Sequence, residues 1–205
     1  VTTMPVYKLY YFAMRGTGEV IRQLLSLAEV EFEDIRITHE QWPEFKPKTP
    51  FGHVPVLEVD GKQIPESFAI ARYIAKQHGL AGATPFEAAW VDALADQYRD
   101  FQNEFKKYSF MQAGVVKGDL EEAKRVHGIP ACNAFFPLIV KQLKETGSGF
   151  LVGSSATWVD ILISAGIEKI QKSDSCFLAE FPEVIKFQER VHALPQIKKW
   201  IESRP

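Results

Sequence analysis

Cysteine is the scarcest chemistry in this chain. Cys132 and Cys176 are the only two among 205 residues. They are too few for a disulfide framework and too far apart for a CxxC redox or zinc pair, so the chain reads as cytoplasmic. Long apolar runs are missing as well. No stretch approaches the roughly 18 residues of a membrane-spanning helix, and the start VTTMPVYKLYYF has no basic-then-apolar leader pattern. Met4-Pro5 reads as the natural start, with Val1 to Thr3 added ahead of it. Neither sign of charge dominates: 24 Lys+Arg against 26 Asp+Glu leave a net charge of -2, which argues against nucleic acid or an anionic membrane as partner. The five histidines, His39, His53, His78, His127 and His192, show no HxxxH or HExxH spacing, so no metal is expected. A GxSxG elbow and a GxxxxGK[ST] phosphate loop are also absent.

What is present is core material. Hydrophobic residues make up 46%, with 15 Phe and 4 Trp, which excludes wholesale disorder and allows one large or two small domains. Tyr7 to Phe12 is aromatic and strand-prone, and AMRGTG after it reads as a turn. Val20, Ile21, Leu24, Leu25 and Ala28 recur at helical spacing, and Phe32 to Ile37 carries a period-two pattern. The opening is therefore βαβ. Thr38 to Gly52, with Pro43, Pro47 and Pro50, is too broken for a long helix. Val54 to Val59, Asp60-Gly61 and Lys62 to Ile64 form a two-residue hairpin signal. Ser67 then reads as the N-cap of a helix ending at Gly79.

Small residues from Gly79 to Phe86 mark a domain boundary, giving 4–80 as a mixed α/β domain and 81–205 as an all-helical one. Thr84-Pro85 with Glu87, Asp119 with Glu122, and Thr157 with Asp160 have the spacing of helix caps. Gly16-Thr17-Gly18 between strand and helix invites a dinucleotide reading. Ile21 stands where the third glycine would be needed, so a turn that lets backbone approach the first strand explains the pair better.

The strings YKLYYFAMRGTGEVIR, WPEFKPKTPFGHVPVLEVDG, PESFAIARYIAKQHGLAG, VDALADQYRDF, TWVDIL and IKKWIESRP together resemble cytosolic glutathione S-transferases, above all the sigma class and its nematode-like members. The resemblance spans essentially the whole chain. It implies a thioredoxin-like first domain with a four-stranded mixed sheet, an all-helical second domain, glutathione as co-substrate, a cis Val54-Pro55 bond and a homodimer. It implies Tyr11 as the catalytic tyrosine, at the end of strand one. Tyr7 and Tyr10 are rivals, but side chains alternate along a strand, so Tyr10 and Tyr11 face opposite ways. Tyr10 stands where the family usually has threonine.

Glutathione needs an ammonium and two carboxylates held. By the same resemblance Ser67 and the N–H groups opening its helix bind the γ-glutamyl carboxylate, beside Glu66. Val54, next to Pro55, pairs with the cysteinyl backbone, and Trp42, Lys46 and His53 serve the glycyl end. Asp100, four residues from Asp96 on one helix face, reaches the ammonium in the partner's site. Phe12, Gly16, Lys107, Tyr108 and Phe110 line a second-substrate pocket. Arg15 fits a structural ion pair as well as a site role.

The implied activity is conjugation of the glutathione thiolate to electrophilic apolar substrates, as in detoxification. Other readings stay open: a carrier of haem or other apolar ligands, a prostaglandin isomerase, and a structural role like that of lens crystallins. Lys107 replaces the tryptophan of vertebrate prostaglandin D synthases, which weighs against the isomerase. The turn after strand one has no cysteine, which weighs against a glutaredoxin-type oxidoreductase.

Overall fold

The structure, a computed structural model, describes residues 5–205, so the expected start at Met4 lies outside the described residues. Packing divides the chain into two compact units: the residues up to Ala81 together with Ala193–Pro205, and Gly82–His192.

The first unit is built from β1 (Tyr7–Phe12), α1 (Gly16–Leu27), β2 (Phe32–Ile37), a short α2 (Trp42–Phe45) with a 3₁₀ turn (Lys46–Lys48), β3 (Val56–Val59), β4 (Lys62–Pro65) and α3 (Ser67–Gln77). The sheet order is β2-β1-β3-β4. β1 runs parallel to β2 and antiparallel to β3, which pairs antiparallel with β4. This is the mixed, thioredoxin-like sheet that the sequence leads one to expect. Tyr7, Leu9 and Tyr11 point into the core, where α1 and α3 supply Ile21, Leu24, Leu25, Ile70 and Ile74, all fully buried. At the hairpin Asp60 and Gly61 both take positive φ, 49° and 80°, as the two-residue turn requires. Asp60 Oδ1 also accepts from the Val6 N–H at 2.9 Å.

Three local expectations shift. The ladder of β3 starts at Val56 and not at Val54, because Pro55 offers no N–H; the Val54-Pro55 bond is cis. The proline-rich segment still closes one helical turn, α2. Ser67 is the first helical residue, not the N-cap; that position belongs to Glu66, at φ 71°, with no side-chain capping bond. The chain leaves β4 at Pro65 and enters α3 after a single left-handed residue, which puts the Ser67 N–H among the unpaired amides of the helix start.

The second unit contains α4 (Pro85–Gln112), α5 (Leu120–Ala123), a π turn (Lys124–Gly128), α6 (Ile129–Thr146), α7 (Trp158–Ser173), a 3₁₀ turn (Ser175–Leu178) and α8 (Pro182–His192). Thr84 and Glu87 form a capping box, and Asp119 caps α5 by accepting from the Glu122 N–H at 3.0 Å. Phe101, Phe105, Phe135 and Phe136 pack with ring centroids 4.8–5.6 Å apart. The expected second domain, 81–205, is shorter than the sequence suggests. Helix α9 (Pro195–Ser203) packs on α1 of the first unit, burying Ile197 and setting Trp200 5.9 Å from Phe32. The Pro195 break after α8 lets the chain turn back, and the apolar face of α9 has its complement there.

Asp160 opens α7 inside this second core. Its oxygens accept from the Leu151 N–H at 2.8 Å and from the Thr157 N–H and hydroxyl, both at 2.7 Å. Burial pushes its carboxyl up to about 6, so at neutral pH it accepts as a carboxylate. Asp160→Ala leaves three buried donors without an acceptor. A loss of about 3 kcal/mol or more in unfolding free energy is expected, measured by urea unfolding; a loss below about 1 kcal/mol contradicts this reading of the cap.

Candidate functional site

The register of the sheet assembles the expected residues at one end of the first unit. Tyr10 pairs with Val56, so Tyr11 lies opposite Pro55. Val56 in turn pairs with Pro65, so Glu66 and Ser67 lie on the other side of the same proline. One end of the sheet thus brings together the end of β1, the cis Val54-Pro55 turn and the start of α3.

Tyr11 is held by backbone. Its ring is only 8% exposed, and the turn after β1 is pressed against it. A Cβ on Gly16 would fall 2.3 Å from Tyr11 Oη, and one on Gly18 would fall 2.4 Å from Tyr11 Cδ1. Gly16 also sits at φ 45°. Both glycines are therefore needed for the ring to occupy its place. Thr17 between them donates its N–H at 3.2 Å and its hydroxyl at 3.3 Å to Tyr11 Oη. With two donors pointing in, the phenol's own O–H is left to reach a third group. Gly16 and Thr17 are exposed, so the hydroxyl end of a buried ring borders solvent.

The rival tyrosines are committed elsewhere. Tyr7 Oη meets His78 Nε2 at 3.3 Å. Tyr10 stacks on Phe45 at 5.2 Å and donates to Glu58 at 3.2 Å; burial and that carboxylate raise its phenol above the ordinary value. Neither lies in the glycine turn.

The remaining expected residues divide by environment. Phe12 stacks on His39 and meets the edge of Trp42, both at 5.3 Å, so it is braced against α2 on the sheet face that Tyr10 shares. Lys46, at the end of α2, is exposed. His53 Nε2 and Glu66 Oε1 pair at 2.8 Å, each about half exposed, so the two act together. Ser67 is partly buried at the start of α3. In the second unit, Asp100 and Asp96 lie on the exposed face of α4, Asp96 being 3.6 Å from Arg99. Lys107, Tyr108 and Phe110 do not share one environment. Lys107 is exposed and paired with Glu104 at 2.9 Å, and Phe110 is 45% exposed. Tyr108 is buried against Phe105 and Phe177 and donates to Asp174 at 3.2 Å; burial first, then Asp174, push its phenol up to about 12.

Sequence reasoning missed Thr17 and Arg22. In the sequence Thr17 stands as one residue of a glycine turn and nothing more. Arg22 is fully buried in α1 and donates to Asp34, Met14 O and Phe12 O. The available signal was a Glu19-to-Arg22 spacing inside an otherwise apolar helical stripe, which ordinary surface ion pairs imitate.

Gly18→Ala puts a methyl group into the Tyr11 ring. Overpacking at this position is expected to lower unfolding free energy by about 2 kcal/mol, read from urea denaturation. An unfolding curve superimposable on the parent's would contradict the contact.

Comparison with known proteins bears on the family and the fold. A family model described as the glutathione S-transferase N-terminal domain matches residues 7–76, and one for the C-terminal domain matches residues 99–204. The chain is 45% identical over 199 residues to the probable glutathione S-transferase 8 of Caenorhabditis elegans, covering 97% of each. Among solved structures it is similar to monomeric Na-GST-3 of the hookworm Necator americanus, with 46% identity, 97% of each chain covered and a TM-score of 0.93. It is likewise similar to a Nu-class enzyme of Haemonchus contortus, with 44% identity, 98% of each chain covered and a TM-score of 0.92. Both halves of the chain and its full-length relatives lead to one conclusion: the chain belongs to the glutathione S-transferase family.

Proposed function

We propose that this glutathione transferase ionises the glutathione thiol through the Tyr11 hydroxyl and directs the thiolate at electrophilic carbons of apolar substrates. The observation that carries the reading is the Tyr11 hydroxyl itself, set by two Thr17 donors and two glycines with its own proton left to donate. A free thiol titrates near about 8.5, and only the thiolate attacks. The phenol donates to the sulfur anion and so favours it. Lowering the thiol pKa by about two units takes roughly 2.7 kcal/mol, and one charge-assisted hydrogen bond supplies about 1.5–3 kcal/mol. The thiol proton leaves to solvent. The sulfur then forms its bond to carbon, and with an aryl chloride the carbon–chlorine bond breaks and chloride departs.

Binding follows this end of the sheet. The γ-glutamyl carboxylate sits at Ser67 and the first amides of α3, where the helix dipole favours an anion, with Glu66 beside it. The backbone at Val54 pairs with the cysteinyl residue, Pro55 shaping the turn. Trp42, Lys46 and the His53 ring serve the glycyl end. Phe12 and Gly16 supply second-substrate surface on the first unit; on α4, Lys107 and Phe110 are exposed to solvent, whereas Tyr108 is buried and bonded to Asp174. The exposed Phe51 and the Phe86–Trp90 stack, 6.5 Å between ring centroids, support association into a homodimer in which Asp100 serves the partner's site. A sigma-class assignment, a cytoplasmic location and a role in detoxification complete the reading.

Conjugation of glutathione to a chlorodinitrobenzene is expected to fall roughly 25-fold at pH 7 in Tyr11→Phe, the ratio of thiolate for thiol pKa values two units apart. The deficit should close as pH rises past about 8.5, where the unassisted thiol ionises. Equal rates at pH 7 would assign the thiol to another hydroxyl. Light scattering should give twice the chain mass, and Asp100→Ala should raise the KM for glutathione; a monomer with the parent's KM overturns the role of Asp100.

A further inference from the structure

The carboxy-terminal segment returns to the first unit and ends on the helix that follows Tyr11. Glu19, in the first turn of α1 and only 4% exposed, is the receiving group. Its Oε1 accepts from Trp200 Nε1 at 3.0 Å, from Arg204 Nη1 at 2.6 Å and from Gln23 Nε2 at 3.4 Å. Its Oε2 lies 3.8 Å from Arg22 Nη1. Arg22 then connects this carboxylate to the catalytic turn. Its Nε donates to both oxygens of Asp34, at 3.0 and 3.1 Å, its Nη1 to Met14 O at 2.9 Å and its Nη2 to Phe12 O at 3.3 Å. Its guanidinium carbon is 5.7 Å from the Tyr11 ring centroid. Arg22 thus grips the carbonyls one and three residues after Tyr11 and faces its ring.

We infer that Trp200 and Arg204 are remote positioning residues for Tyr11, acting through Glu19 and Arg22. The inference rests on the reading of Tyr11 as the thiol-activating group. A buried carboxylate takes every donor within reach. With Trp200 and Arg204 in place, Glu19 has three donors and leaves the Arg22 fork to Asp34 and the two turn carbonyls. Without them Glu19 competes for that fork and draws it off Met14 and Phe12. The carbonyls of Phe12 and Met14 set the direction in which the chain leaves β1, and hence where Gly16 to Gly18 meet the ring. A hydrogen bond to sulfur weakens steeply with distance and angle, so a small displacement of the turn is read out at the thiol. The tail does no chemistry; it keeps the phenol aimed.

The test is a pH titration of the thiolate absorbance of bound glutathione, with glutathione saturating, in the full-length protein. Arg204→Met and Trp200→Phe are expected to raise the midpoint by about half a unit to one unit, a three- to tenfold loss of thiolate below the midpoint. Arg204→Lys should recover part of the shift. Trp200→Phe keeps an aromatic ring against Phe32 and serves if Arg204→Met does not fold. A tail with a purely structural role would lower the unfolding temperature and leave the midpoint at the parent's value, which overturns the inference. Tyr11→Phe is run alongside. If it shifts the midpoint and the tail variants do not, the inference alone fails; if it shifts nothing, the reading of Tyr11 fails and takes the inference with it.

Discussion

A phenol ring lying against backbone that has no room for a side chain governs the amino-terminal unit. Gly16 and Gly18 leave Tyr11 no freedom, because a Cβ at either would fall 2.3–2.4 Å from its atoms. The turn can sit there only because Gly16 accepts a positive φ, and Thr17 between the glycines is brought within reach of the hydroxyl by the same geometry. The orientation of the Tyr11 hydroxyl is a packing consequence.

The charges around this turn follow a second constraint. Glu19 and Arg22 are buried in α1, with Asp34 and Arg204 nearby. Desolvating such groups offsets most of their mutual attraction, so their net contribution to stability is small. What they supply is a defined arrangement. The Arg22 fork has a fixed geometry, and its four contacts tie β1, β2 and the turn into one piece. Removing any one partner leaves a buried charge underserved, which makes the arrangement cooperative. By contrast, the ion pairs along exposed helix faces, Lys107 with Glu104 or Arg125 with Glu122, lie in solvent and contribute little.

The chain's local signals are legible where the physics is local. Aromatic, strand-prone composition marks β1, helical spacing marks α1, period-two alternation marks β2, Asp60-Gly61 marks the hairpin, and the three capping pairs stand where the residues suggest. The failures have equally specific causes. Ser67 looks like a cap because serine usually is one; that Glu66 would adopt a left-handed conformation straight out of β4 is a property of the sheet edge and not of the serine. The helix at Pro195–Ser203 reads as a continuation of the helical half, since nothing nearby shows that its apolar face completes the first unit. Alternation placed Tyr10 and Tyr11 on opposite faces but could not say which met the glycines. Trp200 and Arg204 bind Glu19 across 181 and 185 residues, a separation at which side-chain pattern carries no information. The resemblance to a known family supplied the site residues that periodicity could not. Of these, Tyr11, Val54, Pro55, Glu66 and Ser67 share one end of the sheet, while Lys107, Tyr108 and Phe110 have different surroundings.

The most direct measurement is a crystal structure of the protein with glutathione bound. The account requires the glutathione sulfur within about 3.5 Å of Tyr11 Oη, with the γ-glutamyl carboxylate on the first amides of α3. A sulfur held instead by Thr17 or Tyr10, with Tyr11 Oη out of hydrogen-bond reach, would contradict it.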